Sequence, residues 1–170
     1  VIEELERRFP GQVAIGMEMF REPQQEALDR WTRGELAELE FLKESKWYDN
    51  WGSDFGLYRG ILTFARDRKI DVLALNPSKE LQKRFALAGA GSLPPELAGQ
   101  VPETDFTDPF QRALLEAIFK GHSAGMKDPA AAAKMFDSFY RTQILWEESM
   151  AEQTVDYLKS PAGDGKKMVV

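Results

Sequence analysis

Trp47, Tyr48, Trp51 and Tyr58 fall within twelve positions, the densest gathering of chemistry-bearing side chains in the sequence. Such a cluster packs a core or an interface, or it walls a flat apolar ligand. A tyrosine phenolate is a good ligand for ferric haem iron, and the chain has no Cys to compete for that role. Two polar residues close apolar, strand-like runs: Glu18 and Asn76. In parallel α/β sheets ligands bind outside the carboxyl ends of strands, so both are site candidates. Glu18 shares a strand face with Ala14 and Gly16, where a carboxylate is expected to be half buried and to have a partner. It suits either a site or a cap on a neighbouring loop. Asn76 precedes Pro77 and equally suits a turn.

His122 is the only His, so a two-His metal motif such as H-E-x-x-H is impossible within these residues. It follows Gly121, a helix-ending signal, and is expected in a loop, as a solvated residue or as a ligand or ligand partner. Phe136, Phe139, Tyr140, Trp146, Met150 and Ala151 recur at helical spacing, with Gln143 and Glu147 in or beside the stripe. Polar groups there either find hydrogen bonds, face a cavity, or reach water at the edge.

Other chemistries fail on composition. Without Cys there is no disulfide scaffold, thiolate zinc site, iron–sulfur cluster or cysteine nucleophile. There is no P-loop and no G-x-S-x-G elbow, and Gly89-Ala90-Gly91 lacks the strand and third Gly of a dinucleotide fingerprint. Lys and Arg number 22 against 28 Asp and Glu, a net charge of −6 that disfavours nucleic acid and anionic membranes. Apolar residues at 43 % and charged residues at 29 % suit a globular domain, and 170 residues suit one domain spanning 1–170. No apolar run approaches the ~20 residues that span a bilayer.

The elements that must position these side chains follow from pattern. A helix end over 1–9 stops at Pro10-Gly11. A strand over 12–20 alternates Val13, Ile15, Met17 and Met19 with Ala14, Gly16 and Glu18, as in a buried parallel sheet. Pro23 opens a helix with Ala27, Leu28 and Trp31 on one face, and a second amphipathic piece covers 35–43. An aromatic loop is expected at 47–52, then a helix over 54–68 capped by Asp54, and a strand over 71–75. A helix over 78–88 leads to a Gly/Ala/Pro-rich loop or lid over 89–100. Thr107 or Asp108 caps a helix with Pro109 at its first position. Asp128-Pro129 starts a helix to about residue 159, about 45 Å long, and 166–170 forms a third strand. The fold expected is α/β, a helix-rich three-layer sandwich around a mainly parallel sheet. The chain opens at Val1 inside an amphipathic pattern (Ile2, Leu5, Phe9) and ends in Met168-Val169-Val170, which reads as an interrupted strand. It is read as an interior portion of a longer protein.

Several segments together resemble the ChaN family of haem-binding lipoproteins, within the wider Tiki/TraB/erythromycin-esterase-like group. They are GMEMF (16–20) followed by Gln24-Gln25, W-x6-Y-x2-I-L-x-F-A-R from Trp51 to Arg66, LALNPS (73–78), His122 in GHS, and Q-x2-W-E-x2-M-A from Gln143 to Ala151. The resemblance covers nearly the whole chain. It implies an exported bacterial protein of iron or haem uptake or storage, periplasmic or lipid-anchored at the outer membrane. It further implies a homodimer and an outer-membrane haem receptor as partner, and the first reading is haem storage or hand-over without catalysis, the question of an enzyme being left open. The implied cofactor is haem, iron protoporphyrin IX, ligated through a tyrosine: Tyr58 first, Tyr48 second. His122 is then the distal or supporting candidate, Trp51, Trp146 and Met150 supply apolar walls, and Glu18, Asn76 and Gln143 complete the candidate set. Two departures stand out. The family's G-E-x-H-type first strand and G-x-G-H-type turn lie outside this sequence, and Glu147 stands where the family more often has Asp. The wider group implies an alternative, a metal-dependent hydrolase using Glu18. A protein-interaction module built on the aromatic patch is a third reading.

Overall fold

A computed structural model describes residues 1–89, 91, 93–122, 125 and 128–170, and the side chain of His122 lies outside that description. The chain forms two units, Val1–Asn76 with Met150–Val170, and Pro77–Ser149.

In the first unit, large and small residues alternate along β1 (Val13–Arg21), and each set finds its own partners. β2 (Asp71–Asn76) and β3 (Lys167–Val169) flank it, both parallel, in the order β2-β1-β3. Ile15 stands opposite Val72 on one side and Val169 on the other. The β1–β2 register shifts between Met17 and Arg21. Val13, Ile15, Met17, Val72 and Ala74 join a core with Leu28 and Trp31 of α2 (Gln25–Thr32), Phe41 of α3 (Glu38–Glu44), Trp47 of α4 (Trp47–Asn50), and Phe55 and Leu62 beside and within α5 (Gly56–Arg68). α1 (Ile2–Arg8) lays Ile2 and Leu5 against the same core. The indole of Trp31 donates to the Leu62 carbonyl at 2.7 Å, tying α2 to α5 through the interior. The opposite face, Ala14, Leu73 and Leu75, packs on Met150 and Tyr157 from the end of α9 (Pro129–Lys159) and on Met168. Gly16 sits on that face because nothing larger fits: a Cβ there would lie 2.7 Å from Leu75 Cδ1 and 3.1 Å from Met168 Sδ. The sheet is thus covered on both faces, as expected of a helix-rich α/β fold with a parallel sheet.

In the second unit, Ser78 Oγ accepts from the Leu81 amide to start α6 (Lys79–Ala88). Asp108 Oδ1 accepts from the Phe110 amide at 2.8 Å to start α8 (Pro109–His122), as its sequence signal indicates. Asp128 does the same for α9 through the Ala130 amide at 2.9 Å. Leu115 and Phe119 of α8 pack against Phe136, Tyr140 and Ile144 of α9, while Leu81, Phe85, Leu97 and Leu145 form a separate cluster.

Three local expectations change. The aromatic segment at 47–52 contains a helical turn, α4, instead of a pure loop. The segment 89–100 contains the short helix α7 (Pro95–Ala98), with Ala90 and Ser92 outside the described residues. His122 is the last residue of α8, not a loop residue, because the helix continues through Gly121. Among the described residues no helix is long and apolar enough to cross a membrane.

Candidate functional site

β3 pairs with β1 over Val13–Ile15. A pocket of about 420 Å³ lies along the carboxyl half of β1. Gly16, Met17, Glu18 and Met19 contribute from β1, Tyr58 and Ile61 from α5, Met150 from α9, and Ile2, Ile15, Val169 and Val170 close the rim. The volume is within the range of small-molecule sites, and the lining is apolar apart from one carboxylate and one phenol, a composition that binds flat apolar ligands and orients them through few polar contacts.

Tyr58 owes its place to the helical phase of α5. The N-cap of α5 is Phe55 and not the expected Asp54; Asp54, one residue earlier, accepts from the Gly56 amide on Oδ1 at 2.7 Å. Phe55, Leu62 and Ala65 are buried on its inner side, and Tyr58, three residues after Phe55 and four before Leu62, lies at the edge of that stripe. Its ring is half buried, between two indoles. Trp47 packs at 5.1 Å between ring centroids, and Trp51 meets it edge-on at 6.4 Å. The Trp51 Nε1–H donates to the Tyr58 hydroxyl oxygen at 3.0 Å. Trp47 is itself fixed by its Nε1–H to the Ser53 carbonyl at 2.8 Å and by contacts with Phe20 and Phe55. The phenol oxygen is therefore held at the pocket wall with a donor already aimed at it.

Glu18 lines the same pocket, but its side chain is exposed, not half buried. Met150, Tyr157 and Met168 pack on Ala14, Leu73 and Leu75 of that face, and Glu18 stands outside this cluster. Asn76 is buried at the carboxyl end of β2; its Nδ2–H donates to the Glu18 main-chain carbonyl, and its Oδ1 is buried with no partner. The structure thus gathers Tyr58, Glu18 and Met150 at one pocket, with Trp51 bonded to Tyr58 and Asn76 bonded to the Glu18 backbone.

Tyr48 is not gathered there. It is 59 % exposed on α4 and lines a separate shallow depression with Leu42, Lys43 and Lys46. One residue further along a helical turn faces about 100° away, so Trp47 points inward and Tyr48 outward. Gln143 and Trp146 lie on α9 in the second unit, both half buried, and the Trp146 Nε1–H is buried with no partner. Glu147, also there, accepts from Gln111 Nε2. The side chain of His122 falls outside the described residues. Sequence reasoning missed Met17 and Met19 as pocket residues because their alternation reads as core. No sequence signal separates the two roles, since Met17 is at once a core residue and part of the pocket wall.

Comparison with family models finds one match over residues 1–170, to the family described as haem-binding uptake, Tiki superfamily, ChaN. Comparison with curated proteins finds no match, and comparison with solved structures finds none.

Proposed function

We propose that this chain, which belongs to the ChaN family of haem-binding uptake proteins in the Tiki superfamily, binds an iron porphyrin in the pocket at the carboxyl half of β1, with Tyr58 as the iron ligand. One observation carries the reading: a tyrosine hydroxyl stands in the wall of an apolar pocket with an indole N–H donating to its oxygen at 3.0 Å. The donor set fits the group. A phenolate oxygen is an established protein ligand of ferric haem, and the thioethers of Met17, Met19 and Met150 with Ile61 offer soft apolar contact to a flat ring. When bound, iron porphyrin supplies a Lewis-acidic ferric centre and a broad apolar face.

The chain's own part is to bind, orient and exclude water. Trp47 and Trp51 fix the Tyr58 ring, and the Trp51 N–H goes on donating to the oxygen after its proton has left, as a charge-assisted hydrogen bond. Tyr58 is preferred to Tyr48 because Tyr48 stands on an open, lysine-bordered surface. Haem uptake or storage in the cell envelope, with a second copy of the chain and an outer-membrane receptor as partners, is the setting the reading implies.

Titration of haemin into the purified protein tests it. A tyrosinate-ligated spectrum is expected, with Tyr58→Phe weakening binding by roughly tenfold or more, the equivalent of about 1.4 kcal/mol. Tyr48→Phe should stay near the native affinity. Native binding and an unaltered spectrum in Tyr58→Phe would rule out Tyr58 as the ligand.

A second reading rests on Asn76. Its partnerless buried Oδ1, next to the Glu18 backbone, is a hard oxygen donor of the kind a divalent metal takes in a hydrolytic site. Among the described residues no three His, Asp or Glu side chains converge on one metal position. Metal analysis of the full-length protein decides: a stoichiometric divalent ion lost in Glu18→Ala favours this reading over the first.

A further inference from the structure

Side chains along a strand alternate between its two faces. On β1 the alternation holds through Val13, Ile15 and Met17, which share one core, with Ala14 on the opposite face. It then breaks. Met19 and Phe20 are neighbours in sequence, yet both pack on the core of Val13, Ile15 and Met17, and Phe20 is fully buried there. The register gives the cause. Met17 stands opposite Ala74 and Arg21 opposite Asn76, so four steps along β1 run beside two along β2. β1 therefore carries two residues in excess, a bulge, which bends a strand and re-aims its side chains. The Phe20 ring lies 5.4 Å from Trp47 and 5.9 Å from Phe41, centroid to centroid. Trp47 in turn packs on Tyr58 at 5.1 Å.

One side chain ties the bulge down. Asn76 Nδ2–H donates to the Glu18 main-chain carbonyl, inside the bulged stretch. Asn76 is the last residue of β2, and Pro77 after it has no N–H, so a further donor at this end of the strand has to come from a side chain. Asn76 Oδ1 is buried with no partner, an unfavourable placement that an apolar residue would avoid. What the carboxamide contributes here is its N–H. Earlier on β2 a second carboxamide meets the main chain in the same way: Gln25 Nε2 donates to the Val72 carbonyl and its Oε1 accepts from the Ala74 amide, both at 2.8 Å.

We infer that Asn76 is a positioning residue for Tyr58: its N–H holds the Glu18 carbonyl, and with it the bulge that turns Phe20 inward behind Trp47, against which the Tyr58 ring rests. The consequence for haem rests on the proposed ligation by Tyr58, whereas the bulge and the rings can be read without haem.

Asn76→Leu and Asn76→Ala test it. Both remove the N–H; leucine keeps the branched shape of the side chain and alanine does not. In protein without haemin, nuclear Overhauser contacts between the Phe20 and Trp47 rings should weaken in both variants, and exchange of the Trp51 Nε1–H bonded to Tyr58 should quicken. The Trp31 Nε1–H, bonded to the Leu62 carbonyl in the same core, should keep its native rate. Haemin affinity should fall by about two- to tenfold in both variants, as loss of one hydrogen bond predicts, with the phenolate-to-iron band unmoved because Tyr58 still ligates. Native ring contacts and native Trp51 exchange in either variant overturn the inference: in the leucine variant alone they assign Asn76 to filling space, and in the alanine variant alone they trace the loss to the bulk of leucine. Equal quickening of the Trp31 and Trp51 indoles overturns it as well, since the whole core has then loosened. So do loosened rings with native haemin affinity in a protein whose Tyr58→Phe variant binds weakly. If Tyr58→Phe binds haemin as the native protein does, the haem reading fails by itself, and the ring contacts still decide whether Asn76 holds the bulge.

Discussion

Replacing Gly16 with alanine should destabilise the protein by an amount the packing sets. The added Cβ would stand 2.7 Å from Leu75 Cδ1 and 3.1 Å from Met168 Sδ. Both distances are inside normal carbon–carbon and carbon–sulfur contact, so a neighbour has to move. Met168 is half buried and its thioether can turn aside. Leu75 is fully buried on the α9-facing side of the sheet and has no free space to enter. Forcing a methyl group into a packed core costs about 1–3 kcal/mol. Relief of glycine's backbone freedom returns about 0.5–1 kcal/mol, leaving a net loss of about 1 kcal/mol at the middle of both ranges and at most about 2.5 kcal/mol. At about 2–4 °C per kcal/mol for a chain of this size, the midpoint of thermal unfolding should fall by about 2–4 °C and at most about 10 °C. Circular dichroism melts of Gly16→Ala beside Gly60→Ala provide the measurement, since Gly60 lies within α5 and a Cβ there meets nothing within 4 Å. Gly60→Ala should hold or gain stability by the helix propensity of alanine, up to about 1 kcal/mol. A Gly16→Ala protein that melts at or above the native temperature refutes the packing argument.

Trp51→Phe keeps a ring beside Tyr58 but removes the N–H to its oxygen. Affinity for haemin should drop by about ten- to hundredfold and the phenolate-to-iron absorption band should move, as expected for one hydrogen bond to a charged group; an unmoved band would separate Trp51 from the ligand. The Tyr157 hydroxyl donates to Asp71 Oδ2 at 2.5 Å, and burial, then that bond to Asp71, holds its phenol well above the usual tyrosine range. A folded-state value above the unfolded one means a contribution fully present below about pH 10 and lost as the pH climbs beyond it. Denaturant melts from pH 8 to 11 should therefore show the native protein losing its advantage over Tyr157→Phe, whereas a constant difference across that range would contradict the assignment.

Much of the architecture was readable from residue order because it depends on local rules. Alternation along 13–19 fixed both faces of β1, and the carboxylate caps Asp108 and Asp128 marked the starts of α8 and α9. The site was readable only in part. The helix that carries Tyr58 was legible, but separating Tyr58 from Tyr48 required knowing that Trp47–Asn50 winds into a turn. The exposure of Glu18 depends on which residues of its face the end of α9 covers, Ala14, Leu73 and Leu75, and that is settled by tertiary packing. The pairing of Gln25 with β2 was illegible for a similar reason: a glutamine in a first helical turn looks like any solvated residue until the fold sets it beside the Val72 carbonyl and the Ala74 amide.

The indoles around Tyr58 have a practical consequence. Trp47 and Trp51 both touch its ring, one buried in the core and one half exposed. Indole emission overlaps the absorption of porphyrins, so a chromophore seated against Tyr58 would drain the light of both tryptophans by energy transfer. The protein thus carries its own optical gauge of what occupies that wall, and the dimming of its ultraviolet fluorescence can count bound molecules without a label.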